Sequence, residues 1–382
     1  MLATKKTTQA SLMGYHRICL CTPKRLALYN DPMDKISTER LKNIARQFTL
    51  AAEVTNVNPF GRGHINDTFL ITTKRGGHYV LQRLNPIFAP SVLEDIDAIT
   101  RTMEERGILT TRLVRTKCGG LSVVEHDGHW RMLSFIPGRT VEEGITKDEA
   151  KSAMELIGNF HQTFAEHDYA FRHVREGFHD TPSIMAGLEN TLSTYRGTEK
   201  DATLREVGSA ILEAYRSRGH AWEHLPRRII HGDTKLNNVR FASGSPRAIA
   251  LVDLDTLGRH SVVVDLADAA RSWCNRADEG DSENAKFDLD IFRAMIEGYA
   301  KTANFLTEEE RGAVPNAIAQ IALELSARFL ADAYHESYFK LDREHYPDLF
   351  TQNSTKARAQ LALYKDIRAK ISEITDYSIK KY

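Results

Sequence analysis

The sequence predicts an α+β fold of two lobes, a small antiparallel β-sheet followed by a mostly helical half. Three observations carry this reading. Between Glu53 and Phe135, short β-prone runs alternate with turns built on glycine. Beyond Pro137, apolar residues recur at helical spacing in one segment after another. A single cluster of short strands, from Ile229 to Val252, then interrupts the helices and carries polar residues at its ends. Such an interruption marks a site more often than a scaffold.

The elements follow in order. Residues 1–32 hold no acid before Asp31 but carry Lys5, Lys6, Arg17, Lys24 and Arg25. That composition suits a transit peptide, yet the stretch lacks an amphipathic pattern and an apolar signal core. The preferred reading is an extension without fixed structure, ahead of a natural start at Met33. A helix then begins with Ser37 or Thr38 as N-cap. Strands are predicted over Glu53–Phe60, Thr68–Thr73 and His78–Leu84, as an antiparallel meander turning at Gly61-Arg62-Gly63 and at Gly76-Gly77. A helix over Pro90–Arg106 would bury Val92, Ile96, Ile99 and Met103 on one face. Two further strands, Leu121–Glu125 and His129–Phe135, would pair through the tight turn at Asp127-Gly128.

The break at Ile136-Pro137-Gly138 closes this lobe, so the chain divides into 1–32, 33–136 and 137–382. In the last part, a helix is predicted over Lys147–Phe164, with Asp148 and Glu149 favourably placed near its positive end. Others are expected near 183–195, 201–219, 287–304, 307–340 and 355–374.

Composition narrows the function. The 51 basic residues balance the 51 acidic ones, so no global field draws in nucleic acid or an anionic membrane. No apolar run approaches the roughly 18 residues of a membrane span, and a soluble chain is expected. Cys19, Cys21, Cys118 and Cys274 are too few and scattered for a disulfide framework, and no second half-site completes a zinc motif. Free thiols suit a reducing cytoplasm. Nothing in the sequence speaks to oligomeric state.

The strongest chemical signal is His231-Gly232-Asp233-Thr234-Lys235-Leu236-Asn237-Asn238. Phosphoryl-transfer enzymes of the kinase type carry a loop with His, an Asp two residues on, and an Asn five residues after that Asp. In this pattern Asp233 accepts a hydrogen bond from an acceptor hydroxyl and aims it, while His231 braces the loop. Asn238 offers an oxygen to Mg²⁺, a hard ion that takes oxygen ligands. An apolar strand leading to Asp253 supplies the second metal ligand that such a loop needs. Asp255, on the same side of an extended chain, is a third candidate. Transfer of a phosphoryl group calls for charge neutralisation more than covalent help.

A covering loop belongs between the first two strands, where Gly61, Arg62, Gly63 and His64 could face the phosphates of ATP. Ser134 and Ile136, at the exit of the last sheet strand, are also assigned to the nucleotide. The third strand should carry a lysine for the phosphates. It offers Gln82 or, one residue on, Arg83, and alternation lets only one face the cleft. Charge favours Arg83. Its acidic partner on the following helix could be Glu94, Asp95 or Asp97. For the acceptor, Asp268 and Arg271 lie one helical turn apart, as a local ion pair or as site residues. Arg328, Asp332 and Glu336 recur along one helix face near Tyr338, as a solvated stripe or a polyol site.

HGDTKLNN followed by ALVDLDTLGRHSVVVDLADAARS resembles the aminoglycoside phosphotransferase superfamily, whose members share the protein-kinase-like fold. PFGRGHINDTFL, YVLQRLNPIFAP, FHDTP, LVDLDTLG and RFLADAYHESYFK are similar to segments of the N-acetylhexosamine 1-kinases within it. The resemblance covers roughly residues 50–370. It implies ATP- and Mg²⁺-dependent phosphorylation of the anomeric hydroxyl of an N-acetylhexosamine. Asp233 would then be the base, Asn238 and Asp253 the metal ligands, and Arg328, Asp332 and Tyr338 sugar contacts. Gln82 also occurs in that subfamily. The alternatives are an aminoglycoside, choline or homoserine type of kinase, and a non-catalytic module on the same fold. No activation segment follows Asp253, which speaks against a protein kinase.

Overall fold

The computed structural model describes residues 36–61, 66–142, 144–217 and 221–380. The start at Met33 and the extension lie outside them, as do Arg62, Gly63 and His64. Helix α1 (Thr38–Ala45) begins as expected at Ser37, whose hydroxyl accepts the Arg40 N–H at 3.3 Å. Strands β1 (Val54–Pro59), β2 (Asp67–Thr73) and β3 (His78–Arg83) form the meander, followed by helix α2 (Val92–Glu105), β4 (Val123–Glu125) and β5 (Gly128–Ser134). The sheet order is β1-β2-β3-β5-β4, antiparallel throughout. The hairpin between β4 and β5 turns on His126-Asp127, one residue earlier than predicted, because Gly128 already pairs with Glu125.

Alternation decides which sheet face meets which neighbour. Phe69, Ile71, Leu81, Trp130 and Met132 point to one side and form a core with Leu41, Ile44 and Phe48 of the α1 region. The other side carries Thr68, Gln82, Arg131 and Leu133, all lining a large cleft. The four predicted residues of α2 are all buried, and they join the core of the helical lobe rather than that of the sheet.

The helical lobe contains α3 (Lys147–Thr163), α4 (Thr181–Thr194), α5 (Glu199–Arg216), α6 (Val262–Trp273), α7 (Leu289–Tyr299), α8 (Glu308–His335), α9 (Leu349–Ala369) and α10 (Ile371–Lys380). Helix α8 is apolar on most of its circumference because α4, α5, α6, α9 and α10 surround it. It starts in a capping box between Thr307 and Glu310. Two short strand pairs lie within this lobe: β7 (Val239–Phe241) with β8 (Ala248–Leu251), and β6 (Arg228–Ile230) with β9 (Gly258–His260). The segment 231–238 leaves β6 and enters β7, and Asp253 follows β8, so both strand pairs fix the loops between them. Gly138 joins the lobes at φ 135°, and a Cβ there would lie 2.3 Å from the Phe241 carbonyl oxygen. No helix among the described residues is long and apolar enough to cross a membrane.

Candidate active site

The cleft between sheet and helices has a volume of about 2060 Å³, and Asp233, Asn238 and Asp253 all line it. The loop that carries Asp233 is tied down by one buried carboxylate on α6. Asp265 accepts the backbone N–H of His231 at 2.7 Å and of Gly232 at 2.8 Å, and His161 Nε2 approaches it at 3.0 Å. Its own carbonyl accepts the Thr234 hydroxyl at 2.6 Å. Burial raises the Asp265 carboxyl, but the hydrogen bond and charge of His161 and the hydrogen bond from the Gly232 N–H outweigh it and hold it low. His231 is fully buried, which lowers its pKa and keeps it neutral. Its Nε2 donates to the Val252 carbonyl at 3.1 Å and its Nδ1 accepts the Asp233 N–H at 3.3 Å. That bracing links the loop to the strand before Asp253.

Gly232 stands where the related loop has arginine. It takes φ +80°, and a Cβ would come within 2.4 Å of the Thr256 carbonyl oxygen. Both facts demand glycine. Asp253, by contrast, is a non-glycine residue in the left-handed region, at φ 63° and ψ 63°. Such strain persists only where the surroundings impose it. Here it turns the carboxylate into the cleft, where solvent reaches it. Protein packed around its base, and next the Asp255 charge, push the group up to about 6.

Lys235 joins these acids. Its Nζ donates to Asp233 Oδ2 at 2.6 Å. Burial lowers its pKa, but Asp233 and Asp253 outweigh that and raise it above the usual lysine value. Asn238 donates its Nδ2 to the Asp233 carbonyl at 2.9 Å, which leaves its side-chain oxygen for another partner. That oxygen and the Asp253 carboxylate are hard donors suited to Mg²⁺.

Three sequence expectations change. Asp255 was expected beside Asp253 on an extended chain. After the left-handed Asp253, however, residues Leu254–Thr256 form a 3₁₀ turn. This sends Asp255 under the sheet, where Arg131 and Asn66 occupy its two oxygens. Three donors take most of its lone pairs, and it does not line the cleft that Asp253 faces. Arg83 was favoured as the phosphate cation, but it points to the α1 side of the sheet. There it donates to Asp67 at 2.9 Å and to Asp127 at 3.0 Å. Gln82 faces the cleft instead, with its amide on Thr68 at 3.1 Å. Asp332 is buried and accepts the N–H groups of Ser337, Tyr338 and Phe339 and the Asn353 amide, at 2.8–3.0 Å. It fastens the turn after α8 rather than facing an acceptor.

The remaining candidates line the cleft. Gly61, Ser134 and Ile136 border its sheet side. The Ser134 hydroxyl accepts the Arg112 N–H at 2.9 Å, and the Ile136 carbonyl accepts Arg240 at 3.2 Å. On the helical side, Asp268 and Arg271 pair at 3.0 Å and both face the cleft. Arg328 stacks over Tyr338 at 5.2 Å, and the half-exposed Tyr338 accepts Arg175 at 3.2 Å.

Residues 56–305, well over half the chain, match the APH phosphotransferase enzyme family. The chain belongs to this family. It is therefore a phosphotransferase, and the two-lobed α+β fold agrees. Among solved structures it is similar to an aminoglycoside phosphotransferase from Alicyclobacillus acidocaldarius, at 14% identity and a TM-score of 0.57, over 87% of this chain and 96% of that one. A choline kinase from Cryptosporidium parvum aligns at 12% identity and a TM-score of 0.57, over 88% and 96%. Amicoumacin kinase hAmiN, in complex with AMP-PNP, Ca²⁺ and Ami, aligns at 14% identity and a TM-score of 0.56, over 88% and 94%. At these identities the likeness is one of fold.

Sequence reading of this phosphotransferase passed over Asp265 and Lys235. Lys235 stands inside the quoted motif, two residues after Asp233, so its place was available. Asp265 gives no local signal, because its partners lie 33 and 34 residues earlier.

Proposed function

We propose that this phosphotransferase uses ATP and Mg²⁺ to phosphorylate the anomeric hydroxyl of an N-acetylhexosamine, giving the sugar 1-phosphate. The observation that carries the kinase reading is the convergence of Asp233, Lys235, Asn238 and Asp253 on one cleft wall, with Lys235 between two carboxylates. The amicoumacin kinase, solved with AMP-PNP and Ca²⁺, supports a nucleotide with a divalent cation. Asn238 and Asp253 would hold the cation, which when bound neutralises phosphate charge.

One oxygen of Asp233 is committed to Lys235, and the other is open to accept the proton of the acceptor hydroxyl. As the hydroxyl oxygen of the acceptor bonds to the γ-phosphorus and its proton passes to Asp233, the bond from phosphorus to the bridging oxygen breaks and ADP leaves. Lys235 keeps Asp233 oriented and lends positive charge to the region where negative charge gathers. His231 and Asp265 hold the loop in register.

The sugar acceptor is supported by the sequence segments similar to N-acetylhexosamine 1-kinases. It is supported as well by the acceptor side of the cleft, where Arg271, Arg328 and Tyr338 offer hydrogen bonds and an aromatic face. A panel of N-acetylhexosamines, other sugars, aminoglycosides, choline and homoserine with ATP and Mg²⁺ tests this, with phosphorus NMR to locate the product phosphate. Phosphate on the anomeric carbon of an N-acetylhexosamine is expected. Preferential turnover of a cationic acceptor, or phosphate at another carbon, would remove the sugar 1-kinase assignment.

A further inference from the structure

We propose that Arg131, on β5, is the cation that meets the phosphate oxygens of the nucleotide, in place of a lysine on β3. The inference rests on the nucleotide reading above. A kinase cleft needs a positive group on its sheet wall to hold the phosphates. On β3 the cleft-facing residue is the neutral Gln82, and its charged neighbour Arg83 faces the opposite side. Directly across from Gln82 in the antiparallel register stands Arg131, so its side chain shares the cleft-facing side.

The guanidinium is held as a positioned group. Its Nε and one Nη donate to Gln82 Oε1 at 3.0 and 2.8 Å. Both Nη atoms donate to Asp255, one of them at 2.8 Å. Among the described residues these bonds use four of the five N–H groups that arginine carries, and leave one on Nη1 without an acceptor. Arg131 is only 2% exposed, yet it borders the cleft, and its charge acts on Asp253. A lysine has no planar fork and could not hold a carboxylate and an amide in plane while still offering an aligned donor.

The acid that usually braces such a cation comes from the helix after β3. Here the three acids near the start of α2 are engaged elsewhere. Asp95 accepts Tyr169, Arg172 and His173, Asp97 accepts Arg101 and Arg115, and Glu94 pairs with Arg172. Asp255, two residues after Asp253, supplies the brace from the other lobe. Cation and brace have thus both moved, the cation one strand over and the acid to the turn that carries the metal-facing aspartate. Gln82 and Asp255 are positioning residues for Arg131.

A purely structural bridge between the lobes would serve adenosine and ADP alike, and this separates the two roles. Arg131→Gln alone leaves the buried Asp255 charge with the Asn66 amide but no counter-charge, and endangers folding. The variant to use is therefore Arg131→Gln with Asp255→Asn, its fold checked by circular dichroism. Calorimetry in EDTA then gives the dissociation constants of ADP and adenosine for the wild type and the variant, with no contribution from turnover or metal. The preference for ADP over adenosine is expected to fall about ten- to a hundredfold in the variant. An unchanged preference would overturn the assignment. Nitrogen-15 NMR of the wild-type arginine side chains adds a test that needs no variant. The Arg131 resonances should move with ADP and stay with adenosine, and no response to ADP would also overturn it. A wild type that binds ADP no better than adenosine defeats the nucleotide reading itself. Intact ADP preference in the variant, beside normal wild-type turnover, defeats the role of Arg131 alone.

Discussion

Replacing Asp265 by Asn removes one charge and almost no volume, so its effect reports how firmly a single carboxylate holds the loop of Asp233. Three donors converge on it: the backbone N–H groups of His231 and Gly232, and His161 Nε2. An asparagine oxygen can stay with only one side of this arrangement, and its NH₂ must face a donor. At least one buried N–H is then unpaired, at a cost of about 1–3 kcal/mol, and the other bonds lose their charge assistance. Removing one partner from a buried ionic cluster costs about 3–5 kcal/mol, and a stability loss in that range is expected from urea unfolding. Turnover should fall with it, because the loop that aims Asp233 loses its anchor. The pH dependence gives a second readout. Asp265 is held below its ordinary value in the folded state, so its stabilisation is complete above the unfolded carboxylate's pKa of about 3.9. It is lost as pH falls through the lower folded value. Asp265→Asn should flatten the acid limb of the stability curve. A loss below about 1 kcal/mol with unchanged turnover would refute the anchoring argument.

Two further outcomes follow from the same geometry. Gly232→Ala forces a side chain into the left-handed region, which costs about 1–2 kcal/mol, and drives a Cβ to 2.4 Å from the Thr256 carbonyl. Turnover is expected to drop at least tenfold with the protein still folded, as measured by steady-state kinetics and thermal melting. Burial, and next the charge of His179, lowers the His260 pKa from 6.5 to about 4, so His260 is neutral in the fold and protonated more readily once unfolded. Its stabilisation is present above pH 6.5 and disappears as pH falls toward 4, and His260→Gln should remove that slope in urea titrations across this range.

Much of this fold is written in local pattern. The helical spacing of Val92, Ile96, Ile99 and Met103 located α2 and its buried face, and alternation with glycine turns gave the sheet strands in order. The segment from His231 to Asn238 announced itself because spacing within one loop is a local property. What stayed hidden depends on tertiary neighbours. The short β9 has three residues and exists only because β6 lies beside it. The break between α9 and α10 at Lys370 has neither glycine nor proline to mark it. Asp255 and Asp332 looked like site acids, since a carboxylate in a polar stretch reads the same whether it faces a ligand or a backbone. Arg83 drew the phosphate role because charge alone cannot tell which side of a strand faces the cleft. The structure turns Arg83 to the α1 side and brings Arg131 toward the cleft from a neighbouring strand.

The most direct test of the proposed chemistry is the turnover of Asp233→Asn, measured with saturating ATP, Mg²⁺ and N-acetylhexosamine, beside its affinity for ADP. The substitution keeps the shape of the side chain and removes the proton acceptor. ADP affinity within about threefold of wild type is expected, with turnover reduced by about 10²-fold or more. Turnover within tenfold of wild type would mean that Asp233 does not receive the acceptor proton.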